Sequence, residues 1–517
     1  MPVSRGEQSL GAGWSVQRGD VEENAEKKTA SQDPYAPQTT GQDYYGPDVI
    51  AMAMAAIAIP LWLTYTFATT NEKVAIIVVA WVISVFLMLT RPYFGLVLFV
   101  GLLYVRPEEA FPVLNGLHLA LVTSVTTLIG TLGMKVLRRE KAIGTPLNGM
   151  ICGFGVIVVI STLGGSLTSD AVQDMIKLIA LVLLIVNLVR TRVQYQGLVS
   201  AILIFTAYLS CYSIYLYLQG GGIKDHDVIR SQATGIFGDP NDLAAAIDAG
   251  LALCLARVAS ARPSMRLVYL AASALMIAAV VLTNSRGGLL ALIVVIAAFL
   301  LVFTRGKIGA LFLALVIAVG MIKFGPSRLS KIDRDEESAN SRLVFWANGV
   351  DQLVQHPLTG VGYGNFYNFN GGMTAHNSFV LCFAELGLPG YFCWLGCLYY
   401  CFQGVPKRRE AEKETSKEAL KKLSFEDKPE RDNNFYDRNG ARLALVGYLA
   451  AAFWLSRTYV PNLYLLIGLC VAQQMSANPQ LWEWKRTKSE QKRDWQILLA
   501  LVLVTISVIG IFSNRFK

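Results

Sequence analysis

A few polar side chains stand in this sequence where an apolar chain has no packing use for them. Arg286 lies in LTNSRGGLLAL, directly between two apolar runs, and is followed by Gly287 and Gly288, which let another backbone or a ligand come close. Arg230 lies in RSQATGIFGDPNDLAAAI, upstream of Asp239, Asn241 and Asp242. His376, followed by Asn377, opens HNSFVLCFAELGLPG, an apolar run that also holds Glu385. Charges in or beside membrane-spanning helices are costly, so each is a functional candidate. The planar fork of arginine matches phosphate oxygens. Histidine is the side chain that most readily gives or takes a proton near pH 7. Together they point to a lipid-linked phosphate or diphosphate as ligand, with arginines stabilising a departing diphosphate. Glu385 would orient a base or pair with an arginine. Asp239-Pro240 is a turn signal, and Asn241 or Asp242 can cap the next helix, so at Asp239 and Asn241 a structural role weighs as much as ligand contact. No His/Asp cluster on this side suits a divalent ion, and neither a metal nor a cofactor is expected.

The elements that must hold these residues are helices in lipid. Of the 517 residues, 53% are hydrophobic and 16% charged, and mean hydropathy is +0.43, whereas soluble domains carry about 25% charged residues. Apolar residues gather in stretches of roughly 17 to 23, the length a helix needs to cross the hydrocarbon. Inside lipid every backbone polar group must be satisfied within its segment, and the alternation of a barrel strand does not appear. The fold class is therefore all-α, a polytopic integral membrane helical bundle with about 12–15 spanning helices. Runs fall near 49–69, 74–90, 94–105, 118–137, 149–165, 175–190, 198–219, 241–259, 266–283, 288–304, 308–324, 377–404, 441–456, 461–475 and 496–513. The organisation reads as a disordered cytoplasmic tail (1–47), a transmembrane region (48–324), a periplasmic loop with an amphipathic helix (325–376), a transmembrane helix (377–404), a charged cytoplasmic linker (405–440) and C-terminal transmembrane helices (441–517). No cleavable signal peptide is visible.

With the N-terminus placed in the cytoplasm, the basic clusters at Arg138–Lys141, Arg190–Arg192, Arg257–Arg266, Arg305–Lys307, Lys407–Lys428 and Lys485–Arg493 all land on one side. The net charge of +9 thus belongs to anchors, and nucleic acid is not a partner. The opposite side collects 219–241, the turn 284–288 and the loop 325–376, so Arg286 stands against the positive-inside rule, and a side chain merely snorkelling to the interface explains it less well. In the long loop, Ser341 can cap a helix whose Leu343, Trp346, Val350, Leu353 and Val354 share one face, lying on the bilayer or against the bundle. The Gly- and aromatic-rich stretch after His356 suits a flexible, sugar-stacking or lid-like loop. Its GVGYG has the wrong spacing for a dinucleotide fingerprint. Cys393, Cys397 and Cys401 share a helix face as small packing residues.

At these residues the chain resembles the O-antigen ligase family, within the lipid-linked polysaccharide ligase and polymerase superfamily. The matching pieces, in order, are RSQATGIFGDPNDLA, NSRGGLLAL, SRLVFWANGVDQLVQHPLTGVGYGNF and AHNSFVLCFAELGLPG, and LTRPYFGLVLFVGLLYVRPEE resembles a branch of O-glycosylation ligases associated with exosortase clusters. The likeness covers roughly residues 90 to 400. It implies a multi-pass protein of the bacterial inner membrane with its active site facing the periplasm. The implied reaction is metal-independent: a glycan passes from undecaprenyl diphosphate to a hydroxyl on a glycolipid, polysaccharide or protein acceptor. Carried over by motif, Arg230 and Arg286 would bind the donor diphosphate, and His376 would activate the acceptor hydroxyl or assist departure of the diphosphate. Asn377, Asp239, Asn241 and Glu385 would complete the substrate site. A polymerase of the same superfamily would use the same residues. A transporter of lipid-linked glycan or anion is the reading from another class, and it calls for internal repeats and broken midplane helices that the sequence does not show.

Overall fold

The computed structural model describes residues 83–107, 116, 118–162, 169–225, 228–304, 306–324, 337–404, 433–477 and 483–513. The N-terminal tail and first apolar run, the start of the long loop, and the Lys-rich part of the linker lie outside the described residues.

Within them the chain is helical almost throughout. The helices are α1 (Pro92–Val105), α2 (Leu119–Leu137), α3 (Pro146–Thr162), α4 (Ser169–Leu188), α5 (Arg192–Leu218), α6 (Pro240–Ser260), α7 (Pro263–Leu282), α8 (Arg286–Phe303) and α9 (Lys307–Phe324). They continue with α10 (Glu337–Gln355), α11 (Ser378–Phe402), α12 (Asn433–Ala452), α13 (Pro461–Ser476) and α14 (Lys488–Ser513). Proline opens α1, α6, α7 and α13 at the first turn, where its missing N–H costs nothing and its fixed φ suits the helix. The connection between α5 and α6 holds a short antiparallel hairpin that periodicity did not suggest, β1 (Ile223–Asp225) with β2 (Val228–Arg230), Ile223 facing Arg230.

Seven described helices are long and apolar enough to cross a membrane: α2, α5, α6, α7, α8, α11 and α14. Shorter apolar helices cover Pro92–Val105, Pro146–Thr162 and Lys307–Val316. These seven are counted among the described residues, which leave out the expected run near 49–69 and most of that near 74–90. α13 is buried along nearly its whole length, so it can carry Asn462, Gln473 and Gln474 without meeting hydrocarbon.

α6 is the hub, packed on α12, α7, α8 and α5. Small residues allow these approaches: a Cβ at Gly288 would lie 2.4 Å from Cβ of Ala244, and one at Gly447 the same distance from Val295 Cγ2. α10 packs against α11 and α14, which decides between bundle and bilayer. Trp346 and Leu353 are buried there, but Val354 is 72% exposed. Ser341 does not cap this helix, which is already under way at Glu337. α11 is kinked at Gly387, whose φ is +64° and ψ −169°. Cys397 and Cys401 are buried and no described cysteine is in a disulfide.

Contacts between helix ends sort those ends into two sets. The starts of α6, α8, α11 and α13 and the ends of α5, α7 and α12 gather at one end of the bundle, the starts of α5, α7, α12 and the end of α6 at the other.

Candidate functional site

The first of these ends holds the residues singled out in the sequence. Asp239, rather than Asn241 or Asp242, is the N-cap of α6: its Oδ1 accepts from the backbone N–H of Asn241 at 2.7 Å and from Asn241 Nδ2 at 2.8 Å. The reason is that Pro240 takes the first helical position, which pushes the cap back by two or three residues. Asn241 is thereby freed to act as an acceptor. Its Oδ1 receives Arg230 Nη2 at 2.8 Å and the Ser285 hydroxyl at 2.7 Å. Ser285 in turn caps α8, accepting from Gly288 N at 3.1 Å, so Arg286 begins its helix one residue from this junction.

Arg230 is positioned by more than Asn241. Its Nε donates to the Thr283 carbonyl at 3.1 Å. Ser231 N donates to Leu282 O at 3.0 Å, and Asn284 Nδ2 to Ile229 O at 3.1 Å. The hairpin is thus laced to the turn between α7 and α8, with Asn284 in the left-handed region at φ +48°. Arg230 and Arg286 arrive at one corner because β2 is pinned to the turn that launches Arg286.

Asp242, the third residue of α6, meets a side chain the motifs did not single out. Arg457 pairs with it in a two-pronged contact, Nε to Oδ1 and Nη2 to Oδ2, the second at 2.6 Å. Arg457 Nη2 also lies 3.5 Å from Asp239 Oδ2. Burial opposes the charge on Arg457, but the hydrogen bond and charge of Asp242, with Asp239 beyond, outweigh it and raise its pKa.

Arg457 is delivered by the turn between α12 and α13, and that turn is stitched to the start of α11. Ser378 Oγ donates to Leu455 O at 2.6 Å and accepts from Arg457 N at 2.8 Å, while the Thr458 hydroxyl donates to Ser378 O at 2.7 Å. His376 lies just before this knot, half-buried and left-handed at φ +47°. Asn377 is fully buried and spends its Oδ1 on capping α11, accepting from Phe379 N at 2.9 Å and Val380 N at 3.1 Å. α10 holds the approach from the other side, since Trp346 Nε1 donates to Ala375 O at 3.0 Å. Trp346 also packs on Phe453 and Trp454, and a Cβ at Gly287 would lie 3.3 Å from Cβ of Trp454. The histidine and both sequence-predicted arginines therefore converge on one corner.

The electrostatics of His376 follow from this neighbourhood. Burial lowers its pKa from the usual 6.5, the charges of Arg342 and Arg457 lower it further, and Asp239 pulls the other way. The imidazole is held neutral near pH 7, a state that can accept a proton. Among the described residues, no group of three or more His, Cys, Asp or Glu gathers to hold a metal ion.

Glu385 is placed elsewhere. Its Oε1 accepts from Phe366 N at 3.2 Å, and the Tyr459 hydroxyl lies beside it. Backbone bonds from Val361 N to Ala384 O (2.9 Å) and Gly362 N to Glu385 O (3.0 Å) bind the same loop to α11. Glu385 therefore shapes the Gly-rich loop 360–366 rather than orienting His376 or pairing with an arginine. That loop is anchored, while Tyr367 and Phe369 beyond it stand 53% and 63% exposed.

Arg457 and Arg342 join the site without having been picked out in the sequence, and Asp242, read there as a candidate helix cap, is the partner of Arg457. Arg457 carried a readable signal. It lies in LSRTYVPN, between the runs 441–456 and 461–475, a turn on the same basic-poor side as Arg286. Arg342 sits in a segment read only for its apolar face.

Residues 271–395 match the family model described as O-antigen ligase. The match supports the resemblance drawn from the sequence. It covers α8, α9 and α10 with parts of α7 and α11, and takes in Arg286, Arg342, His376, Asn377 and Glu385, but neither Arg230 and the start of α6 nor Arg457. No curated protein matches the chain.

Proposed function

We propose, from the premise that residues 271–395 carry the O-antigen ligase signature, that this membrane protein is a glycosyltransferase. It moves a glycan from undecaprenyl diphosphate to a hydroxyl acceptor at the periplasmic face of the bacterial inner membrane, without a metal. The observation that carries this reading is a linked corner: Arg230 on Asn241, Arg457 on Asp242 and beside Asp239, the helix start at Arg286 capped by Ser285 on the same Asn241, and His376 within the field of Arg457, Arg342 and Asp239. Arg230 held on Asn241 and Arg457 held on Asp242 present fixed guanidinium forks, the geometry suited to diphosphate oxygens. The two carboxylates keep Arg457 aimed when no donor is bound.

In this mechanism the acceptor hydroxyl oxygen attacks the anomeric carbon while the bond from that carbon to the diphosphate oxygen breaks. The hydroxyl proton passes to His376, whose neutral imidazole is ready for it. The electron pair of the broken bond stays on the diphosphate, where the fixed arginines stabilise the charge as it develops. The products are the glycoside and undecaprenyl diphosphate. The exposed Tyr367 and Phe369 offer faces for sugar rings at the mouth. A polymerase would differ in the acceptor alone, a hydroxyl on a second lipid-linked chain.

The test is transfer from a lipid-linked oligosaccharide by purified protein in detergent, with and without EDTA, for wild type, Arg286→Ala, His376→Ala and Arg457→Ala. EDTA-resistant release of undecaprenyl diphosphate that all three substitutions abolish in folded protein supports the reading. Wild type that binds the donor but never cleaves it overturns catalysis and makes transport the leading idea.

A further inference from the structure

We propose that the end of the bundle opposite this site carries a second anion site, which takes the phosphate of an anionic phospholipid headgroup. A cavity of about 490 Å³ opens there between the start of α5, the end of α6, the start of α7 and the first turns of α12. Its charged walls are Arg192, Arg257, Arg262 and Asp437. Asp437, with its side chain 6% exposed, receives Arg192 Nε at 3.2 Å and Arg257 Nη1 at 3.4 Å, and Tyr195 OH donates to its carbonyl at 3.0 Å. These contacts hold the two arginines in place but do not balance them. With Arg262, three guanidinium groups face one carboxylate, and the hollow keeps a surplus of positive charge.

Interfacial anchoring would explain basic residues scattered along this end. It does not explain a hollow with three of them in its wall, two of them fixed by a buried carboxylate. The volume suits a small ligand, since such sites run to roughly 300–1,000 Å³. Arginine's fork suits phosphate oxygens, and basic pockets between membrane helices are where anionic headgroups lodge. The border tells lipid from free phosphate. Val193 on α5 and Met265 on α7 line the same cavity and are 57% and 47% exposed. A diacyl lipid lays its chains on such a rim, and an inorganic anion has no use for it. This inference does not depend on the reaction proposed above.

The experiment is native mass spectrometry of the full chain, released from detergent after exposure to phosphatidylglycerol or phosphatidylcholine. Wild type should retain phosphatidylglycerol in preference, and Arg192→Gln with Arg262→Gln should reduce that retention by about five-fold per arginine removed. Phosphatidylcholine binding should not change. Arg192→Lys with Arg262→Lys should keep an intermediate preference. Should the double variant fold poorly by thermal unfolding, Arg262→Gln alone serves, because the ion pairs of Asp437 run to Arg192 and Arg257. Equal retention of both lipids by wild type, or undiminished phosphatidylglycerol binding in a folded variant, overturns the site. Displacement of the lipid by millimolar inorganic phosphate makes the ligand a soluble anion and overturns the lipid assignment.

Discussion

Arg457 and Asp242, 215 positions apart, meet side chain to side chain, guanidinium fork against carboxylate. Neither end of this pair is dispensable to the geometry. Asp242 sits in the first turn of α6, and Arg457 hangs from the turn whose backbone is knotted to the start of α11 beside His376. The pair therefore joins the arginine corner to the histidine.

Removing one partner leaves a poorly solvated charge behind. Arg457→Ala or Asp242→Asn should destabilise the protein by roughly 2–3 kcal/mol, the low end for a buried pair because Arg457 keeps some solvent access. Asp242→Asn with Arg457→Gln should recover much of that loss, seen as the thermal midpoint in detergent, yet transfer should stay down by about 100-fold, the usual effect of losing one charge-stabilising donor. Full recovery of transfer in the double variant would reduce the pair to a structural brace.

The pH profile tests the neutral histidine. Burial, Arg342 and Arg457 place the His376 pKa below 6.5, so kcat/KM should hold through neutral pH and fall only as pH drops below that value. Arg342→Gln removes a positive neighbour, should raise the pKa, and should move the acid limb to higher pH. Asp239→Asn removes a negative neighbour and should move it lower. The same shift makes the unfolded state bind the proton first, so stability contributed by His376 is present at neutral pH and declines as pH falls. Limbs that move the other way mean that a protonated His376 is the active form.

The apolar runs near 118–137, 266–283 and 308–324 correspond closely to α2, α7 and α9. Lipid imposes this legibility, since a span must be apolar over its whole length. The site was legible as a set of types: Arg230, Arg286 and His376 stood out because charge is costly in such a chain. Their partners were not. Whether Asp242 caps a helix or meets Arg457 depends on a turn two helices of sequence beyond His376, and no local spacing records it. Glu385 was misread for a related reason. A carboxylate in an apolar run announces that it needs a partner but not which one, and here backbone N–H groups fill the role. Ser341 fits the capping preference well, but the helix passes through it.

Asn241 is the cheapest residue on which to test the arginine corner. Its Oδ1 serves both Arg230 and Ser285, so Asn241→Leu removes the shared acceptor while nearly keeping the volume. A hydrogen bond to a charged group contributes about 1.5–3 kcal/mol, and its loss should appear as a roughly 10- to 100-fold rise in KM for the lipid-linked donor, because Arg230 loses its aim. The acceptor KM should move little. A change confined to the acceptor would detach Arg230 from the diphosphate.

Glu385 separates the loop from the chemistry. Its Oε1 accepts the Phe366 N–H, and the 360–366 loop rests on the α11 backbone. Glu385→Gln preserves one carbonyl acceptor for Phe366 N and should cost little activity. Glu385→Ala leaves that buried N–H without its partner, a penalty of about 1–3 kcal/mol, and should loosen the loop that carries Tyr367 and Phe369. The expected signature is a raised KM for the acceptor, faster hydrogen exchange over 360–370, and an unchanged acid limb. The unchanged limb matters most: if Glu385→Gln alone displaces it, Glu385 governs the protonation of His376 after all, and the division between loop and catalytic corner does not hold.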